Sequence, residues 1–399
     1  MKNKSAISIL IALFASVVVG LSLQSRVEIA NMFQPLGTIY INLIKMIMVP
    51  LVFSSLVLGI TSITDVKKIG KMGIRTILIF MVTTAVAVSI GLILSNIFKP
   101  GVGITVGTTA YEAKKMPGIT ETIVGIFPSN IIEGFLNGNM LQIIFVSIIL
   151  GIAIVKISPK GKTLKACIED LFEAVSVITK WVMVLTPVGI LGLMIPTVAQ
   201  NGIEVLLPLA KLILVFYLAV VIHVSFTYCL SIKYLTNFSV REFFKGMFQA
   251  QVLAFVSCSS AAALPVSMKK IQDELKVSKE VSSFVLSLGA TINMDGNALY
   301  QGIVALFIAQ AYGIELSITM QIIVILTGTL ASIGAAGVPG AGMIVLSTVL
   351  ASVGLPIDGI ALVAGIDRIL DMGRTFVNVT GDAVTACIID KNLNEENNE

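Results

Sequence analysis

The sequence predicts an all-α polytopic membrane protein, with eight transmembrane helices and two re-entrant helical hairpins. Three observations carry this. Of 399 residues, 56% are hydrophobic and 13% charged, the latter about half of the ~25% usual in soluble domains. Apolar runs near or above the ~20 residues needed to span a bilayer recur along the chain. Two further apolar stretches are broken at their centres by small residues and proline, where freed backbone groups exposed to lipid would have no partners.

The elements follow in order. After Met1-Lys2-Asn3-Lys4, an apolar run extends from Ala6 to about Leu23. It is longer than the core of a signal peptide and lacks a small-residue cleavage site, so it reads as a retained first helix. Further runs lie near 38–62, 74–97, 122–155, 170–197, 206–232, 280–311 and 355–389. The stretches 246–268 and 317–352 break at Ser257-Cys258-Ser259-Ser260-Ala261-Ala262-Ala263-Leu264-Pro265 and at Gly334-Ala335-Ala336-Gly337-Val338-Pro339-Gly340-Ala341-Gly342. Each half is too short to span comfortably, which predicts hairpins that enter and return.

Lysine and arginine set the orientation. Lys67, Lys68, Lys71 and Arg75, then Lys156, Lys160, Lys162 and Lys165, then the basic residues flanking 246–268, fall on one side if both termini do. The termini are therefore expected in the cytoplasm, with the first hairpin entering from inside and the second from outside. Segment 98–121, rich in Gly and Pro, is expected as an external loop despite Lys99, Lys114 and Lys115. Hairpin plus span (246–311) then repeats as hairpin plus span (317–389) with opposite entry sides. Such inverted repeats are a signature of secondary transporters.

Other classes are excluded by the same residues. A net charge of +4 is small and dispersed, which gives no footprint for nucleic acid. Cys167, Cys229, Cys258 and Cys387 have no CxxC spacing, and the single histidine, His223, cannot build a zinc site and is expected in a structural or surface role. Gly161-Lys162-Thr163 ends like a phosphate-binding loop, but the first glycine that motif requires is Lys156. Asn378-Val379-Thr380 is a glycosylation sequon in form only, since it lies inside an expected span. No nucleophile–base pair points to an enzyme.

The last span carries the strongest chemistry. Asp367, Asp371, Arg374, Asn378 and Asp382 are spaced 4, 3, 4 and 4 apart, which puts all five on one helical face. Ionisable residues at membrane depth are costly and mark substrate or ion paths. A salt-bridge ladder joining two helices is the competing reading; it gives no reason for Thr375 and Asn378 on that face. Arg374 offers a permanently charged fork suited to a carboxylate. Asp371 offers an anion suited to an ammonium group, and together they suit an amino acid. Asp382 among carbonyl oxygens suits a hard cation such as sodium. The seventh run breaks at Asn293-Met294-Asp295-Gly296, turn chemistry whose unwound carbonyls can coordinate a cation. The hairpin tips offer helix N-termini to an anion, with close packing through small residues as the alternative reading.

These residues resemble the dicarboxylate/amino acid:cation symporter family, the glutamate transporter homologues. The resemblance spans essentially the whole chain. It is carried by Lys45-Met46-Ile47-Met48-Val49-Pro50-Leu51-Val52-Phe53, Pro128-Ser129-Asn130, the serine-rich tip, the Asn-Met-Asp-Gly break, the Ala-Gly-Val-Pro-Gly tip and the Asp-Met-Gly-Arg-Thr run. It implies a homotrimer in a prokaryotic cytoplasmic (inner) membrane that works as an elevator, in contact with membrane lipids. Residues 1–73 would hold scaffold helices 1–2, 74–97 transport-domain helix 3, and 98–205 the external loop and scaffold helices 4–5. Residues 206–390 would complete the transport domain, and 391–399 would form a cytoplasmic tail. The second hairpin would be the extracellular gate.

Carried over by position, Arg374 would bind the substrate side-chain carboxylate and Asp371 its amino group. Thr375, Asn378 and the backbone near Ser259 and Ser260 would hold the α-carboxylate. Met294 and Asn297 would line the site, and Val338 and Gly342 would close over it. One sodium (Na+) site would use Gly289, Asn293, Asn378 and Asp382. A second would use Thr291, Ser332, Ile333 and Ala335, and a third Thr83, Thr84, Asn293 and Asp295.

Several positions depart from the archaeal pattern. Cys258 stands in place of an arginine, and Arg368 in place of a small residue. Arg368 is expected to take over that charge beside Asp367 and to pair with Asp371, three residues away. Asn297 and Ala335 replace threonines, Phe80 a tyrosine. Neutral amino acid members lack the arginine at 374 and C4-dicarboxylate members lack the acid at 371, so keeping both implies L-aspartate or L-glutamate. Gln301 cannot titrate, which favours sodium coupling without potassium counter-transport; proton coupling through Asp367 or Asp371 stays open. The alternatives are a proton-coupled glutamate/aspartate symporter, a transporter of C4-dicarboxylates or neutral amino acids, or a channel or sensor on the same scaffold.

Overall fold

The computed structural model describes residues 2–65, 71–104, 124–202, 206–332 and 341–398. All regular structure among them is helical. The first run is α1 (Lys2–Ser22), followed by a short α2 (Val27–Asn31), α3 (Gln34–Asp65) and α4 (Lys71–Phe98). The expected fourth span is divided into α5 (Ile131–Leu136) and α6 (Met140–Lys156). Asn130 and Asn139 cap them by accepting from Ile132 N and Gln142 N, as short polar side chains do at helix starts.

The expected fifth span, 170–197, is not one straight helix. It is α7 (Lys162–Val184) and α8 (Thr186–Asn201), with Lys162–Val182 and Thr186–Gln200 meeting at 51°. Pro187 in the first turn of α8 explains the break, because proline fits a helix start and not an interior. By length and apolar composition, three elements can cross a bilayer singly among the described residues: Val27–Thr61, Met72–Phe98 and Leu206–Leu235. The bent α7–α8 pair makes a fourth. Shorter apolar helices lie at Ile11–Ser22, Gln142–Lys156, Ile318–Ser332 and Gly342–Ser352.

The sixth run is α9 (Leu206–Ile222), a π-helical segment His223–Cys229, and α10 (Leu230–Leu235). The stretch broken at its serine tip is α11 (Val240–Ser257) and α12 (Ser260–Asp273). Ser239 and Glu242 form a capping box at the start of α11. Cys258 ends it in the left-handed conformation (φ 52), and Ser259 starts α12 by accepting from Ala262 N at 3.2 Å. The seventh run breaks as expected, between α13 (Lys279–Ile292) and α14 (Asp295–Ala311). The second broken stretch is α15 (Ile318–Ser332) and α16 (Ala341–Ser352), with its tip outside the described residues. The last run is a short α17 (Ile360–Ala364), an interruption at Gly365 and Ile366, and α18 (Asp367–Asn398).

Packing falls into two groups. α3 lies against α6, α7 and α8, and α1 against α8. In the other group α18 is the axis: α11, α13 and α14 pack around it, and α4 runs along α14 and α15. The groups meet where α16 lies on α3, with Ile344 among Ile41, Ile44 and Ile47.

Candidate functional site

Where α18 crosses the α13–α14 break, buried polar side chains collect at the centre of the second group. Arg374 is fully buried, Asp367 and Asp371 nearly so. The Arg374 Nη2 lies 3.0 Å from Asp367 Oδ1 and 2.9 Å from Asp371 Oδ1. Its Cζ sits 4.3 Å from the centroid of the Tyr300 ring, a cation–π contact from α14. Both carboxylates approach off the ideal hydrogen-bond directions, and Arg374 Nε and Nη1 make no hydrogen bond among the described residues. A buried guanidinium with open donor edges is an anion receptor in waiting. Gly342, the second residue of α16, lies over it: a Cβ there would meet Arg374 Nη1 and Cζ.

The expected pairing of Arg368 with Asp371 is replaced by another. Arg368, half-buried, donates from Nη2 to Val256 O at 3.3 Å, tying α18 to the end of α11. The Asp371 carboxylate goes to Arg374, on the opposite side in sequence at the same spacing. Arg374 is fully buried and Arg368 is half-exposed, so the cation cut off from solvent takes the carboxylate.

The remaining residues expected at a substrate site are placed as follows. Thr375 Oγ1 donates to Asp371 O at 2.9 Å. Asn378 Oδ1 accepts from Gly296 N at 2.8 Å, and its Nδ2 reaches Met294 Sδ at 3.2 Å. Asn297 Nδ2 reaches the same sulfur at 3.5 Å. Met294 therefore joins the helix break to α18. Ser259 and Ser260 are buried at the first tip, and the Ser259 hydroxyl is occupied by its cap. Val338, like Ile333 and Ala335, lies outside the described residues.

The first expected cation set comes together. Asn293 Nδ2 lies 2.9 Å from Asp382 Oδ1 and 3.4 Å from Asn378 O, while Asn293 Oδ1 is buried without a hydrogen bond. A Cβ on Gly289 would meet Asp382 Oδ1 and Cγ, so only glycine lets α13 come this close. A carboxylate, an orphaned amide oxygen and a carbonyl fit a hard cation. Of the second set, Ser332 is buried and donates to Gly328 O at 2.7 Å, and Thr291 is exposed and donates to Leu288 O at 3.0 Å. The third set is only partly assembled. Thr84 Oγ1 donates to Asp295 Oδ1 at 2.6 Å. Thr83 donates to Phe80 O in its own helix at 3.2 Å, and Asn293 turns its amide to Asp382.

Two residues here have no sequence signal of their own. Tyr228 OH donates to Asp295 Oδ2 at 2.7 Å, and His223 Nε2 lies 3.5 Å from the same oxygen. Both come from the π-helical segment. The polar run His223-Val224-Ser225-Phe226-Thr227-Tyr228 inside an apolar helix was the available hint.

Comparison with known proteins identifies the family. Residues 6–392 match the model of the sodium:dicarboxylate symporter family. The chain is 38% identical over 402 residues to a proton/sodium-glutamate symport protein of Geobacillus stearothermophilus, covering 98% of this chain and 95% of that one. It is 38% identical over 376 residues to a proton/glutamate-aspartate symporter of Escherichia coli (strain K12), covering 91% and 86%. It is also 33% identical over 402 residues to a C4-dicarboxylate transport protein of Bacillus subtilis (strain 168), covering 98% and 93%. The matched family and the named relatives are transporters, not enzymes; the chain is an integral membrane member of the sodium:dicarboxylate symporter family.

Proposed function

We propose that the protein is a sodium-coupled symporter that imports acidic amino acids, L-aspartate or L-glutamate, across the prokaryotic cytoplasmic membrane. The observation that carries this is Arg374: fully buried, clamped between Asp367 and Asp371, with Nε and Nη1 making no hydrogen bond among the described residues. The substrate side-chain carboxylate takes the open guanidinium edges. Its ammonium takes over Asp371 from Arg374, so the empty site holds its own charges and a ligand with both groups exchanges for them. A dicarboxylate without an amine satisfies only Arg374. The names of the Geobacillus and Escherichia relatives support glutamate and aspartate as the class.

Cation coupling follows from charge. Asp295, Asp367, Asp371 and Asp382 are buried; Arg374 pairs with Asp367 and Asp371, and among the described residues no lysine or arginine pairs with Asp295 or Asp382. Unpaired buried carboxylates are unfavourable, so binding an anionic substrate there requires cations to enter with it. The set Gly289, Asn293, Asn378 and Asp382 supplies the first sodium site. The sites using Thr291, Ser332, Ile333 and Ala335, and Thr83, Thr84, Asn293 and Asp295, complete the proposal. Movement is by an elevator in which 74–97 and 206–390 travel against a scaffold of 1–73 and 98–205 within a homotrimer, both termini cytoplasmic.

Proton drive is the second reading, favoured by the Escherichia relative's name and by two carboxylates sharing one arginine. Radiolabelled L-aspartate uptake into proteoliposomes, under a sodium gradient and separately under a proton gradient, tests both. Uptake only with sodium is expected. Arg374→Ala and Asp371→Ala should each abolish it in protein that still inserts; near-normal transport by either sinks the assignments. Succinate competing as well as glutamate would sink the amino acid reading.

A further inference from the structure

The least expected feature of the transport core is the π-helical segment, and it has a consequence for the cation site at Asp295. On an α-helix, residues five apart point about 140° away from each other. In a π-turn, hydrogen bonds run from i to i+5, which brings residues five apart closer to one face. His223 and Tyr228 are five apart, the first and the second-last residues of this segment. Their rings meet edge to face at 4.7 Å, and both reach one oxygen of Asp295. Thr84 from α4 takes the other oxygen. All four residues are buried, His223 and Asp295 with no exposed surface.

The imidazole has a defined orientation. Its Nδ1 lies 3.2 Å from the Thr227 hydroxyl. With that hydroxyl donating to Nδ1, the ring proton is assigned to Nε2, facing the carboxylate. Nε2 makes no hydrogen bond among the described residues, and the Asp295 oxygen at 3.5 Å is the acceptor it faces. A buried ring nitrogen without a partner costs free energy unless it serves the carboxylate it faces. Asp295 also opens α14, where the helix N-terminus favours an anion.

We propose that His223 is a positioning residue for Asp295. With Tyr228 and Thr84 it fixes the carboxylate's orientation, and so sets how tightly a monovalent cation is held there. This rests on the sodium-coupled reading above. The π-turn is the structural device: it brings two side chains from one helix to one oxygen, the Tyr228 hydroxyl hydrogen-bonded to it and the His223 ring beside it. The same arrangement explains why Thr83 and Asn293 are not drawn to Asp295. Its oxygens are already oriented by protein donors, and the cation has to share them.

The test uses the full-length protein in proteoliposomes and in detergent. Sodium half-saturation of aspartate uptake is measured at saturating aspartate, and the aspartate KM at saturating sodium. The sodium-induced rise in melting temperature without aspartate is a readout independent of transport. His223→Ala is expected to raise the sodium half-saturation about threefold, less than the loss of a full hydrogen bond to a charged group would give. The aspartate KM stays within about twofold, the smaller change expected of a group that touches no substrate. His223→Gln, which keeps an N–H donor, restores most of the sodium affinity. Should His223→Ala not insert, Tyr228→Phe removes the other donor to the same oxygen and gives the same sodium-selective shift. An unchanged sodium half-saturation, or an equal loss for sodium and aspartate, overturns the proposal while leaving sodium coupling standing. A wild type indifferent to sodium overturns both.

Discussion

Gly289 and Gly381 decide how closely neighbouring groups approach the Asp382 carboxylate. A Cβ on Gly381 would lie 2.5 Å from Tyr228 OH and 2.7 Å from Asn293 Nδ2; one on Gly289 would strike Asp382 itself. Neither neighbour is the free end of a flexible chain, so the methyl displaces groups that contact Asp295 and Asp382. Overpacking of this kind costs ~1–3 kcal/mol. Gly381→Ala and Gly289→Ala are therefore expected to lower the melting temperature and to weaken sodium-induced stabilisation, as read by thermal unfolding with and without sodium. Sodium response at the wild-type level in both variants would refute the close-approach argument. At this scale the sequence was readable wherever charge interrupted an apolar run: Asp367, Asp371, Arg374 and Asp382 announced themselves by position. Their partners did not. Arg368 and Arg374 stand equally far from Asp371, and only burial chooses between them. His223 lies in sequence far from Asp295, and nothing in a lone histidine points to its carboxylate.

Among elements, the first hairpin shows how local chemistry sets a tip. α11 ends at Cys258, whose φ of 52° is a conformation that disfavours residues with a Cβ. α12 begins one residue later with the Ser259 cap. Cys258→Gly should leave the melting temperature equal or higher. Cys258→Val, β-branched in the left-handed region, should lower stability by ~1–2 kcal/mol. Thermal unfolding of purified protein checks both; a glycine variant clearly less stable than wild type would mean that the thiol's packing outweighs the strain. Broken helices were legible because proline and small residues mark them, as at the serine tip and at Asn293-Met294-Asp295-Gly296. The bend between α7 and α8 carried the same mark in Pro187, inside a run whose length alone suggested one span. The π-turn left no such mark. Apolar periodicity over His223–Cys229 does not record an inserted residue, and tertiary contacts to Asp295 are what make it useful.

For the whole molecule, the two stretches expected as hairpins, α11–α12 and α15–α16, differ in what covers them. α16 of the second hairpin lies on α3, burying Ile344 among Ile41, Ile44 and Ile47. On the first hairpin, Phe248, Val252 and Val256 line one face of α11 at four-residue spacing and are 62%, 45% and 55% exposed. The sequence could locate both hairpins, yet not which of them rests on the scaffold, because each offers an apolar face to it. If the proposed elevator operates, the exposed stripe is the face that docks in the alternate state, and its accessibility changes with conformation. The measurement is the labelling rate of a Val252→Cys variant, in a background with Cys167, Cys229, Cys258 and Cys387 replaced, by a membrane-impermeant maleimide. Rates are compared without ligand, with sodium, and with sodium plus aspartate, on protein first shown to transport. Labelling should be fast in the state described here and slow in the condition that brings α11 onto the scaffold. A control cysteine at Trp181, exposed on α7 of the scaffold group, should label at one rate throughout. Equal rates at Val252→Cys across all three conditions would mean that α11 never exchanges places with α16, and alternating access would then have to come from the hairpin tips alone.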